Sequence, residues 1–227
     1  MKKLNKIIVL IVLSIVLTNC ATVKLSNTWS SEDFQDAKTK KVLVVARSND
    51  KEVQKAYENE LVSKLKNEDI NAISAHKLFP DLKEKSNRSQ EEINTIVKDF
   101  SKEGIQSILL TALKGTKVEE SIPEKEDTNA SSIVNRGRYG FTFTDYYNVH
   151  SIEYLSRDLR PNYNENDQVS SQLLSSTTYT LEAVFYDLTL EKDKQFTGFY
   201  EVKITDPSSA KQILKKFSNI IIKQFKK

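Results

Sequence analysis

Glycine is scarce in this chain: five residues among 227, none arranged as a phosphate-binding loop, a dinucleotide fingerprint or a G-x-S-x-G elbow. Histidine is scarcer still. His76 and His150 stand far apart and form neither an H-x-x-x-H nor an H-x-x-E-H pattern, so the common metal-ligand spacings are missing. No catalytic residue, metal ligand or cofactor site is expected from motifs. A single cysteine, Cys20, leaves no disulfide to form within the chain. Positive charge is also less abundant than the net +3 suggests. All three excess lysines (Lys2, Lys3 and Lys6) lie before Cys20, leaving 31 basic against 31 acidic residues after it. Such a balance offers no basic face for nucleic acid. The C-terminal lysines Lys211, Lys215, Lys216, Lys223, Lys226 and Lys227 read as the solvated side of a helix. The longest apolar run, Ile7 to Leu17, has roughly half of the ~20 residues a membrane-spanning helix needs.

What is present at the start of the chain has a defined order. Three lysines precede the apolar run, no acidic residue occurs before Glu32, and Leu17-Thr18-Asn19-Cys20 follows. This is the sequence of regions in an export signal, with a cysteine where cleavage would occur. The segment resembles the lipobox of bacterial lipoproteins. The resemblance implies that residues 1–19 are removed as a signal peptide and that Cys20 carries acyl chains such as palmitate. Ala21 follows Cys20 with no acidic cluster in the next ten residues. That favours the periplasmic leaflet of the outer membrane in a cell with two membranes.

Residues 20–40 read as a lipidated, polar tether holding Trp29 and Phe34. Trp29 serves there either as a plug against the domain or as an interfacial aromatic at headgroup level. From residue 41 to 227 the pattern is that of one α/β domain. Lys41 to Arg47 is a β-branched run suited to a strand covered on both faces. Ser48-Asn49-Asp50 offers cap chemistry for a helix with Val53, Tyr57, Leu61 and Leu65 at i, i+4 spacing. Ile70 to Ala75 is a short second strand. Ser89-Gln90-Glu91-Glu92 is a capping-box pattern opening a helix with Ile93, Ile96, Val97 and Phe100 on one face, and Gly104 stands at its C-terminal end. Ile105 to Leu113 is the third strand, continuing as far as Val118. Thr177–Leu190 and Asp193–Thr205 alternate around a tip at Glu191 to Lys194, predicting an antiparallel hairpin. Asp206-Pro207 then predicts a helix start and Ala210 to Gln224 a closing helix. The expected fold is therefore a mixed sheet of about five strands, βαβαβ then a hairpin, with a C-terminal helix packed on it.

Residues 119–170 break the pattern. The stretch is long and polar yet rich in aromatics, and insertions of this length are usually functional or disordered. One reading makes its aromatics a patch on the edge of the domain. The other makes Tyr139, Phe141, Phe143, Tyr146, Tyr147 and Tyr154 a contact surface for a partner, because aromatics supply large rigid contact area. Asp145, Glu153 and Asp158 lie in the same stretch, but their spacing specifies no acid–base pair. Arg136-Gly137-Arg138 reads as a solvated turn.

The lipobox, Trp29, Lys40-Lys41-Val42-Leu43-Val44-Val45, the helix Glu58 to Lys66, the strands Ile105 to Leu113 and Tyr179 to Leu190 and the closing helix together resemble a group of small bacterial lipoproteins. Their α/β layout is similar to the amino-terminal domain of TolB and to the curli secretion lipoprotein. The resemblance implies a non-enzymatic accessory or interaction module in the envelope, with the membrane and an envelope protein as partners. The alternative is a glycan- or small-molecule-binding or hydrolytic protein with its site beside the 119–170 insertion.

Overall fold

The computed structural model describes residues 21–48, 50–82, 88–120, 143 and 175–227. Its six strands are β1 (Thr22–Ser30), β2 (Val42–Ala46), β3 (Ala72–Ser74), β4 (Ser107–Glu120), β5 (Ser175–Asp187) and β6 (Phe196–Thr205). Five helices accompany them among the described residues: α1 (Phe34–Ala37), α2 (Lys51–Lys66), α3 (Ala75–Leu78), α4 (Gln90–Lys102) and α5 (Ala210–Phe225). The strands form one mixed sheet in the order β1-β6-β5-β4-β2-β3. β3, β2 and β4 are parallel, whereas β4, β5, β6 and β1 pair antiparallel in succession.

The parallel part follows from local chemistry. Asp50 caps α2 by accepting from the backbone N–H groups of Glu52 and Val53, and Val53, Tyr57, Leu61 and Leu65 are all fully buried against the sheet. Burying each of the Val and Leu side chains contributes about 1.5–3 kcal/mol. Ser89 and Glu92 form both halves of the capping box on α4. Gly104 has φ +69 with open space around a would-be Cβ; its place after the helix is set by the left-handed backbone, which other residues adopt at a cost.

Two expectations are corrected. The span read as a tether contains β1, whose residues pair with β6 from Thr22↔Thr205 to Ser30↔Gly198, so the sheet has six strands instead of about five. Val23 and Leu25 pack on the core from this strand, and Phe34 of α1 is 2% exposed. The alternation Val23, Leu25 is short and flanked by polar residues, and only β6, some 175 residues away, reveals its use. The closing helix also starts later than Asp206-Pro207. Asp206 adopts φ +49, and its carboxylate accepts from the Thr177 backbone N–H at 2.8 Å, while Ser209 caps α5 through Gln212 N–H. A residue with φ > 0 leaves the helical region, which moves the start to Ala210.

Two cores flank the sheet. The first joins Val42, Val44 and Ala46, the apolar faces of α2 and α5, and Leu181, Ala183, Phe185, Tyr200, Val202 and Ile204. The second joins Leu43, Val45, Ile108 and Leu110 to α4, then Val184, Tyr186, Phe196 and Phe199. α5 therefore covers the antiparallel strands on the first face. On the second face the apolar core stops at Val184 and Phe199, and the next residues outward on that face are Glu182 and Glu201.

Candidate functional site

Glu182 and Glu201 are direct cross-strand partners on β5 and β6, and both are buried. Like charges placed opposite each other destabilise a sheet unless counter-charges are supplied. Two β-bulges supply partners for Glu201. The β4–β5 register shifts between Leu113 and Gly115, leaving Lys114 as the extra residue. The β1–β6 register shifts between Leu25 and Asn27, leaving Ser26 as the extra residue. Bulges re-aim side chains, and these two converge: Ser26 Oγ donates to Glu201 Oε1 at 2.8 Å, and Lys114 Nζ donates to Glu201 Oε2. Burial alone would raise the Glu201 pKa. The bonds from Lys114 and Ser26 and the charges of Lys114 and Lys203 outweigh it and hold the carboxyl below its ordinary range. The arrangement is a fixed carboxylate on the sheet face, with Lys114 as counter-charge and a donor on each oxygen.

A second polar cluster lies where β2 ends, at the carboxyl edge of the parallel strands, where open α/β sheets commonly bind ligands. Glu58, fully buried on α2, accepts from Ala46 N–H at 3.1 Å, from His76 N–H at 2.8 Å and meets His76 Nδ1 at 2.6 Å. One carboxylate thus ties β2, α2 and the start of α3 together. Arg47 follows β2, donates its backbone N–H to Thr111 O at 2.9 Å and is fully buried. Ser74 Oγ, Thr111 Oγ1 and Tyr57 Oη are buried without a hydrogen-bond partner among the described residues. Burial first, and Tyr179 second, pushes the Tyr57 phenol far above its ordinary pKa, so it stays neutral. The Glu58–His76 pair has the form of a histidine oriented by a carboxylate, but every contact it makes is internal to the fold.

At the opposite end of the sheet Asp187, also fully buried, accepts from Lys40 Nζ at 2.6 Å and from Thr189 N–H and Oγ1. Burial lowers the Lys40 pKa, and the carboxylates of Asp187 and Asp36 more than reverse that effect. This cluster closes the turn after β5.

Of the residues singled out in the sequence, Cys20, Tyr139, Phe141, Tyr146, Tyr147 and Tyr154 lie outside the described residues, as do Arg136, Arg138, Asp145, His150, Glu153 and Asp158. Phe143 is 2% exposed and packs its ring 6.0 Å from Phe100 and 6.2 Å from Tyr186. Trp29 stacks on Phe196 at 5.1 Å with the rings 5° from parallel. It acts as a plug, on a strand instead of a tether, and stands seven residues along β1 from Thr22, about 24 Å at strand rise. The Glu201 site was missed because its two partners are bulge residues. The visible signal was Lys114-Gly115 ending the apolar run of a strand that continues to Glu120. Among the described residues no group of three or more His, Cys, Asp or Glu comes together to hold a metal ion, and no helix is long and apolar enough to cross a membrane.

No family model matches the chain, and no curated protein matches it. Among solved structures the chain is similar to a PelC dodecamer subunit from Paraburkholderia phytofirmans, at 8% identity and a TM-score of 0.36, covering 91% of this chain and 95% of that one. A likeness at that level transfers no property.

Proposed function

We propose that this chain is an envelope lipoprotein, held by acyl chains on Cys20, that works as a non-enzymatic accessory or interaction module. Its expected location is the periplasmic leaflet of the outer membrane. The anchor reading is supported by the order of Lys2, Lys3 and Lys6, the run Ile7 to Leu17 and Leu17-Thr18-Asn19-Cys20, and the chain leaves little slack after it. Ala21 is buried, its carbonyl accepts from Lys216 Nζ at 2.7 Å, and Thr22 is already paired with β6. A lipid on Cys20 would hold the sheet itself. Several acyl chains at about 0.8 kcal/mol per buried CH₂ make such an anchor durable. The interaction part of the reading falls to the aromatic stretch between β4 and β5, whose ends are brought together by the pairing Glu120↔Ser175.

The test has two parts. Mass spectrometry of the mature N-terminus from purified membranes should show an acylated Cys20, and Cys20→Ala should release the protein. Crosslinking in whole membranes should then capture a defined envelope protein, and replacing Tyr139, Tyr146, Tyr147 and Tyr154 by Ser should abolish the capture. Phe143 is left intact because its ring belongs to the core. Turnover of a glycan or ester with no partner captured would replace this reading by the binding or hydrolytic one.

A further inference from the structure

We infer that the sheet stands end-on to the bilayer, with the outer part of the β4–β5 ribbon in the lipid headgroups and Val118 as its apolar contact. The inference rests on the Cys20 anchor. Lys117, Thr178, Thr205 and Thr22 occupy one row across β4, β5, β6 and β1. Two peptide units separate Thr22 from Cys20, so the acylated residue lies no more than about 7.6 Å from that row. β4 and β5 do not stop at the row. Their pairing continues through Val118↔Thr177 and Glu119↔Ser176 to Glu120↔Ser175, a further three residues or about 10 Å at strand rise. The paired ribbon therefore reaches at least as far beyond the row as the anchor does, and a lipid on Cys20 draws it to the membrane surface.

The side chains at this end fit that surface. Val118, on the projecting ribbon, is the large apolar residue left exposed among the described residues, at 58%. Lys24 and Lys203 are exposed and directly opposite each other on β1 and β6. A like-charge cross-strand pair is unfavourable within a domain; Glu201 offsets Lys203 in part, and lipid phosphates add a counter-charge for Lys24. Asp206, the nearby acid at the turn, already spends its carboxylate on Thr177 N–H and the Ser176 hydroxyl.

The chain has a single cysteine, which the lipid consumes, so an introduced thiol can be labelled alone. The full-length mature lipoprotein carrying Val118→Cys, spin-labelled and placed in phosphatidylethanolamine/phosphatidylglycerol vesicles, is compared with Lys192→Cys. Lys192 lies in the β5–β6 turn, at the far end of the sheet. The expected result is roughly threefold lower collision with an aqueous nickel chelate at position 118, as for a side chain about 5–10 Å inside the headgroup boundary. Equal accessibility at the two positions, with acylated Cys20 verified by mass spectrometry, overturns the end-on orientation and leaves the anchor standing. An unacylated N-terminus overturns both.

Discussion

The two halves of the sheet are built by different means. The parallel half is short: β2 and β3 have 5 and 3 residues, and each neighbour arrives through a nearby helix. The antiparallel half is long, with 14, 13, 10 and 9 residues in β4, β5, β6 and β1. Its last strand comes from the opposite end of the chain from its partner. In the first half, helices cover both faces and polar groups are confined to the edge. In the second, α5 covers one face, and the other carries Glu182, Glu201 and Lys114. A sheet that outgrows its helices on one side must either carry polar residues there or find another cover. This one carries buried charge, balanced by two bulges.

The strongest test of that comparison asks whether the N-terminal stretch is as structural as the helices. Phe34 packs edge-on against Phe185 at 5.4 Å and Phe225 at 5.3 Å. Phe34→Ala should cost about 3–5 kcal/mol, and Leu61→Ala in the parallel half about 2–5 kcal/mol, read by chemical denaturation. A Phe34→Ala cost below about 1 kcal/mol would return this region to the status of a tether, since that is far less than a filled core site loses.

The charged face offers the next test. The Lys114–Glu201 pair is partly exposed, with side chains 23% and 11% accessible, so solvent screens it. Lys114→Met alone should destabilise by about 1–2 kcal/mol, discounted from a fully buried pair. Adding Glu201→Met should recover most of the loss, because the stranded charge is then gone. The acid dependence supplies an independent check. The Glu201 carboxyl is held lower in the folded chain than in the unfolded one. Its contribution is therefore fully present above the unfolded carboxylate pKa and lost as pH falls through the folded value. Melting temperatures of wild type and Glu201→Gln should converge across that acid range; parallel curves would show that the pair contributes nothing.

The smallest effect belongs to the parallel half, where the decisive interactions are local. Ser89→Ala removes one side of the α4 capping box and should cost about 1 kcal/mol, with hydrogen exchange accelerated at Glu92, whose N–H bonds Ser89 Oγ. Faster exchange spreading to β5 or β6 would mean that the two halves are less separate than their construction implies.

Sequence alone determined the elements whose partners lie close by. The i, i+4 spacing of Val53, Tyr57, Leu61 and Leu65, the Ser89 box, Gly104, the β5–β6 hairpin and the closing helix could be read because caps, turns and amphipathic faces are set within a few residues. It also defined the charge balance and placed one cysteine behind an apolar run. Tertiary structure decided what depends on distant pairing: that residues 22–30 are a strand, that Phe143 belongs to the core, and that Lys114 and Ser26 meet at Glu201. A strand acquires its register from its neighbour, and a bulge exists only relative to the strand it faces. No local pattern in Thr22 to Ser30 could state that β6 was waiting for it.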